Sequence, residues 1–84
     1  MNKKEKAQIL VDKIKNSCAE SNLEEAWTCW CELFSLYNTP ESASDDERMT
    51  DCIELHTFLQ QITNEEVYAI TDYGKRKTYS VENY

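Results

Sequence analysis

The segment LEEAWTCWCELFSLY, residues 23–37, holds ten apolar residues in fifteen, too many for a helix that lies on a surface. At about 100° per residue, Leu23, Ala26, Trp27, Trp30, Cys31, Phe34 and Tyr37 share one stripe. Cys29, Leu33 and Leu36 widen that stripe to an arc of about 220°. Glu24, Glu25, Thr28, Glu32 and Ser35 are left for water. The segment is therefore expected to be the central post of a bundle or half of a subunit interface.

Working outward, Asn22 with Glu25 three residues on reads as an N-cap and capping box. Upstream, Ala7, Leu10, Val11, Ile14 and Cys18 form the apolar face of a helix over residues 3–19, with Ile9 on the opposite side. Downstream, Asn38 to Ala43 is a loop, and Pro40 stops the second helix. Ser44 with Glu47 opens a third helix reaching about Ile62, with Met49, Cys52, Ile53, Leu55, Phe58, Leu59 and Ile62 as its apolar set. Thr63 with Glu66 opens a short fourth helix containing Val67, Tyr68 and Ile70, with Gly74 as the residue just past its end. The expected organisation is one helical domain over residues 1–74 and a basic, aromatic tail over 75–84, in which Tyr79, Val81 and Tyr84 either fray or strap back.

The chain has 84 residues, one Gly and one Pro. So few turn formers argue against a β sandwich or barrel, and the predicted class is all-α: a small bundle of three main helices plus the short fourth. A domain of this size buries only roughly 60–65% of its unfolded surface. Two adjacent helices with wide apolar faces exceed the needs of a three-helix monomer, so a homodimer is the economical supplement.

The formal charge of −7 is unevenly laid out. Five lysines stand against Glu5 and Asp12 in residues 1–19, whereas thirteen acids face only Arg48 in residues 20–72. Lys75, Arg76 and Lys77 follow. Such a field repels nucleic acid from the body of the domain and attracts basic surfaces, so no direct nucleic-acid binding is expected. The short run Ile9-Leu10-Val11 is not a signal-peptide core, and nothing approaches the ~20 apolar residues of a membrane span. The expectation is a soluble cytoplasmic protein without membrane contact, whose Cys18, Cys29, Cys31 and Cys52 are free thiols.

Chemistry-bearing constellations are weak. Cys52 and His56, an i, i+4 pair, are the best metal candidates, with further ligands to come from Cys18, Cys29 or Cys31, yet Cys29 and Cys31 point about 200° apart on a helix and cannot share an ion with each other. A hydrogen-bonded core histidine and packed cysteines are the ordinary reading, so no metal and no cofactor is expected. Cys-Trp-Cys lacks the redox spacing, no group orients a nucleophile, and one Gly cannot build a phosphate-binding loop. Carboxylates abound but lie on polar helix faces, where a solvated surface is expected rather than a catalytic cleft.

The pattern favours a non-enzymatic interaction module over an enzyme. The leading expectation is a small acidic inhibitor or regulator that binds a larger protein and occludes its basic, nucleic-acid-handling surface. Immunity proteins and phage anti-defence proteins are analogous in size and charge, not in motif. The residues expected to meet such a partner are Glu24, Glu25, Glu32, Asp46, Glu47, Asp51 and Glu54, which steer and pair with Arg or Lys, and Trp27, Trp30 and Tyr37, which anchor a dry centre. Two other classes stand beside it: a homodimeric scaffold module, and a metal- or redox-responsive regulator using Cys52 and His56.

Overall fold

The computed structural model describes the backbone of residues 1–82 and the side chains of residues 1–78. It contains α1 (Lys3–Ala19), α2 (Leu23–Leu36), α3 (Asp45–Leu59) and α4 (Asn64–Glu82), and no strand among the described residues. The class is all-α, as the apolar periodicity predicts.

Each helix begins where a short polar side chain satisfies the first free N–H groups. Asn2 accepts from the Glu5 N–H at 2.8 Å, Asn22 from Glu25 at 3.3 Å and Ser44 from Glu47 at 3.2 Å. Thr63 and Glu66 form a reciprocal box: the Glu66 N–H donates to Thr63 Oγ1 at 3.1 Å, and the Thr63 N–H to Glu66 Oε1 at 2.9 Å. The turn after α1 closes through Ser21, whose φ of 60° is left-handed. There the Ser21 N–H donates to the Cys18 carbonyl and the Asn22 N–H to that of Ser17, satisfying two carbonyls that α1 leaves open.

α1, rather than α2, is the central post. It packs against all three other helices, while α2 packs against α1 and α4. Ala7, Val11 and Ile14 are fully buried, and Leu10 and Ser17 nearly so. They meet Ala26, Cys29, Leu33 and Tyr37 of the α2 segment, together with Phe58, Ile62 and Ile70. The buried line of α2 is thus rotated from the predicted stripe. Trp27 and Trp30 are half-buried on its flank, and Cys31 and Phe34 are exposed. α1 supplies the narrow, fully apolar ridge that the middle of a small bundle requires, and α2 is too broad to be covered by one neighbour.

The fourth helix differs from the expected short one. It does not stop at Gly74 but continues to Glu82, so Lys75, Arg76 and Lys77 lie on α4 rather than in a separate tail. Gly74 is buried within the helix, against the Trp27 indole. The expected strap through Tyr79, Val81 and Tyr84 lies outside the described side chains.

The third helix departs further. It ends at Leu59, and Ile62 enters the core from the following turn. Phe58 is the one buried side chain on α3, with Leu55 and Leu59 half-buried beside it. Met49 and Ile53, expected in the core, are 64% and 59% exposed, and Cys52 is exposed as well. No described helix is long and apolar enough to cross a membrane.

Candidate interaction surface

Polar straps, more than an apolar seam, fix α3 on the bundle. Lys3 Nζ donates to Asp51 Oδ1 at 3.0 Å, and Thr39 Oγ1 donates to Asp51 Oδ2 at 3.0 Å. The Lys3 bond and then the Thr39 bond hold the Asp51 carboxyl below its ordinary range. At the other end, Gln8 and Gln61 exchange amide hydrogen bonds at 3.0 and 3.2 Å. Lys15 Nζ donates to the Gln61 carbonyl at 2.8 Å and to Glu66 at 3.2 Å. Partial burial would raise the Glu66 carboxyl, but the Thr63 and Lys15 contacts outweigh it and keep it low.

Between these ends, the Tyr37 hydroxyl donates to Glu54 Oε1 at 3.2 Å. The Tyr37 ring tilts against Phe58 at 6.3 Å, and the Lys3 ammonium lies 5.1 Å from the ring centroid. Burial, reinforced by the Glu54 charge, pushes the Tyr37 phenol up to about 12.

These contacts sort the residues expected to meet a partner. Asp51 and Glu54 face inward and are engaged by Lys3, Thr39 and Tyr37. Tyr37 is buried, and Trp27 is taken up by Gly74 of α4. Glu25 is exposed but bound to the Asn22 amide at 3.1 Å, completing the α2 cap. Glu24, Glu32, Asp46 and Glu47 are exposed and take part in no ion pair among the described residues. Trp30 is half-buried and stacks, tilted, on exposed Phe34 at 5.0 Å.

The acids do not form one uninterrupted sheet. Glu32 lines a hollow of about 540 Å³ with Met1, Lys6, Ile9, Leu10 and Leu36 at the α1–α2 edge. Asp46 and Glu47 flank Lys3 on the α3 side. The lysine-bearing start of α1 therefore lies between two acidic patches, one on α2 and one at the start of α3. Compared with known protein families, curated proteins and solved structures, the chain matches none.

His56 is not the core histidine expected from its place in the apolar pattern. It is exposed and lies 3.3 Å from the Gln60 amide, at the rim of a hollow shared with Trp30, Leu59 and Val67. Cys52 is also exposed, and no three His, Cys, Asp or Glu side chains converge as metal ligands among the described residues. Burial, more than the neighbouring carboxylates, raises the thiol pKa of Cys18 and Cys29, which makes them poor nucleophiles.

Sequence reasoning missed Phe34, Met49 and Ile53 as surface residues. One signal for α3 was present. Asp51 and Glu54 share the helix side of Phe58, so burying Phe58 turns two carboxylates inward and Met49 and Ile53 outward.

Proposed function

We propose that this chain is a non-enzymatic interaction module, a small acidic inhibitor or regulator that occludes a basic, nucleic-acid-handling surface of a larger protein. One observation carries the reading: Glu24 and Glu32 on α2, and Asp45, Asp46 and Glu47 in the first turn of α3, are exposed and have no ion-pair partner among the described residues. Exposed carboxylates outside ion pairs, in a chain of net −7, steer a cationic partner and raise its association rate even with the lysines of the α1 start nearby. The Trp30–Phe34 pair supplies an aromatic contact of the kind that dominates interface energies.

The test is capture of partners from the native host at low salt by the tagged chain, beside a variant carrying Glu24→Lys, Glu32→Lys, Asp46→Lys and Glu47→Lys. A basic protein retained by the native chain and absent from the variant supports the reading. Equal retention by both removes the charge mechanism.

Self-association is a second reading, favoured by the outward turn of Met49 and Ile53 on α3. It overlaps the first on α3, because Asp45 and Asp46 lie one turn before Met49 on the same side of the helix, whereas Glu24 and Glu32 are on α2.

A further inference from the structure

Among the described residues, eleven apolar side chains are buried, and α3 contributes only Phe58. The other ten come from α1, from α2 with its cap Tyr37, from the turn before α4 and from α4 itself, so most of the core stands without α3. What holds α3 down is short and local. Phe58 packs beside the Tyr37 ring with half-buried Leu55 and Leu59 next to it, Asp51 accepts from Lys3 and Thr39, and Glu54 accepts from Tyr37. Against these contacts, α3 carries five acids to one base, Arg48, and the rest of the chain is net negative as well. We propose that α3 is a lid, which opens as a unit and bares the Tyr37 ring while α1, α2 and α4 stay folded.

The joints on either side fit such a motion. Arg48 donates to the carbonyls of Pro40 and Glu41 at 3.3 and 2.8 Å, and Ser44 caps the helix, so residues 40–44 travel with α3. Behind them Tyr37 is buried, which places one joint at Asn38 and Thr39. At the far end Gln61 is held by Gln8 and Lys15 and Ile62 is buried, which places the other at Gln60. The packing of α2 on α1 and on α4 does not pass through α3, so the three helices keep their contacts when the lid lifts. Opening gives up one buried aromatic and a few polar contacts, whereas global unfolding gives up the whole core, and the smaller loss makes the open state the more populated of the two. Once released, a helix of 15 residues is marginal in water, so its backbone amides become open to exchange.

Native-state hydrogen exchange on the full chain, followed amide by amide by nuclear magnetic resonance through a urea series below the unfolding midpoint, tests this. In the native chain the interior amides of α3 should exchange through one common opening, at least about a hundredfold faster than the slowest amides of α1 and α2 and with a smaller dependence on urea. Asp51→Asn should speed that opening about tenfold. Gly74→Ala disturbs the contact between α2 and α4 and leaves those of α3 in place. It should therefore speed the slowest α1 and α2 amides about tenfold and leave α3 exchange unchanged. If the α3 amides share the rate and urea dependence of α1 and α2, or are accelerated equally by Gly74→Ala, α3 unfolds only with the whole bundle and the lid is overturned. Exchange in α3 that is independent of urea and differs from amide to amide is fraying and overturns it too, as does an α3 rate that Asp51→Asn leaves unchanged.

Discussion

Gly74 is the notch that receives Trp27. A Cβ built on this residue would stand 2.4 Å from Cζ3 of the indole, closer than any side chain tolerates, and the helix continues past it undisturbed. The contact joins α2 to α4 and gives the single glycine of the chain a packing role in place of a terminating one.

Gly74→Ala should therefore destabilise the fold although alanine is the better helix former. The propensity gain of about 1 kcal/mol is outweighed by displacement of the half-buried indole, leaving a net loss of roughly 1–2 kcal/mol. Urea denaturation checks the value, and Trp27→Leu should relieve most of the penalty in the double variant. An additive double variant would show that the two residues are uncoupled.

Ser21 offers the opposite case. It sits at φ 60° in the helix stop after α1, a conformation glycine adopts without steric cost. Ser21→Gly is expected to stabilise the protein by about 0.5–1 kcal/mol, read as a higher urea midpoint with an unchanged slope.

At alkaline pH the Tyr37–Glu54 bond becomes a liability. The unfolded phenol ionises near 10, whereas the folded one keeps its proton to about 12. Between those values the unfolded chain binds fewer protons, so stability falls as pH rises. Tyr37→Phe should cost about 1 kcal/mol at neutral pH, and its deficit against the native chain should shrink above pH 10. A deficit constant across that window would contradict the placement of the hydroxyl.

Acid acts on the two lysine straps to α1, Lys3–Asp51 on α3 and Lys15–Glu66 on α4. Asp51 and Glu66 are both held below their ordinary values, so their stabilisation is complete at neutral pH. It is lost as pH falls below the ordinary carboxylate range and through the lowered folded values. Asp51→Asn and Glu66→Gln should each be less stable than the native chain at pH 7, with the differences closing in acid. Denaturation midpoints at a series of pH values give the comparison.

How far this fold could be read from its sequence depended on which physical effects are local. Asn22, Ser44 and Thr63 marked three helix starts correctly because a cap is decided within four residues. The apolar face of α1 was also legible, since its polar residues leave only one side to bury. The fourth helix was misjudged because a glycine near a helix end and a glycine receiving an aromatic ring look alike until Trp27 is placed across from it. On α2 and α3 the apolar arcs were seen but their inward direction was not. An arc of about 220° has no unique inner side, and partners distant in sequence, such as Lys3 for Asp51 and Tyr37 for Glu54, chose it. The same choice decided which proposed partner-binding residues are taken up internally and which remain for a partner.

The claim that the exposed carboxylates carry recognition is tested most directly by the salt dependence of affinity for the basic protein captured from the host. The dissociation constant of the native chain should rise steeply with ionic strength. The variant with Glu24, Glu32, Asp46 and Glu47 reversed to Lys should bind at least about tenfold more weakly at low salt while keeping its helical content. An affinity that is independent of salt, or unchanged by the four reversals, would contradict the account.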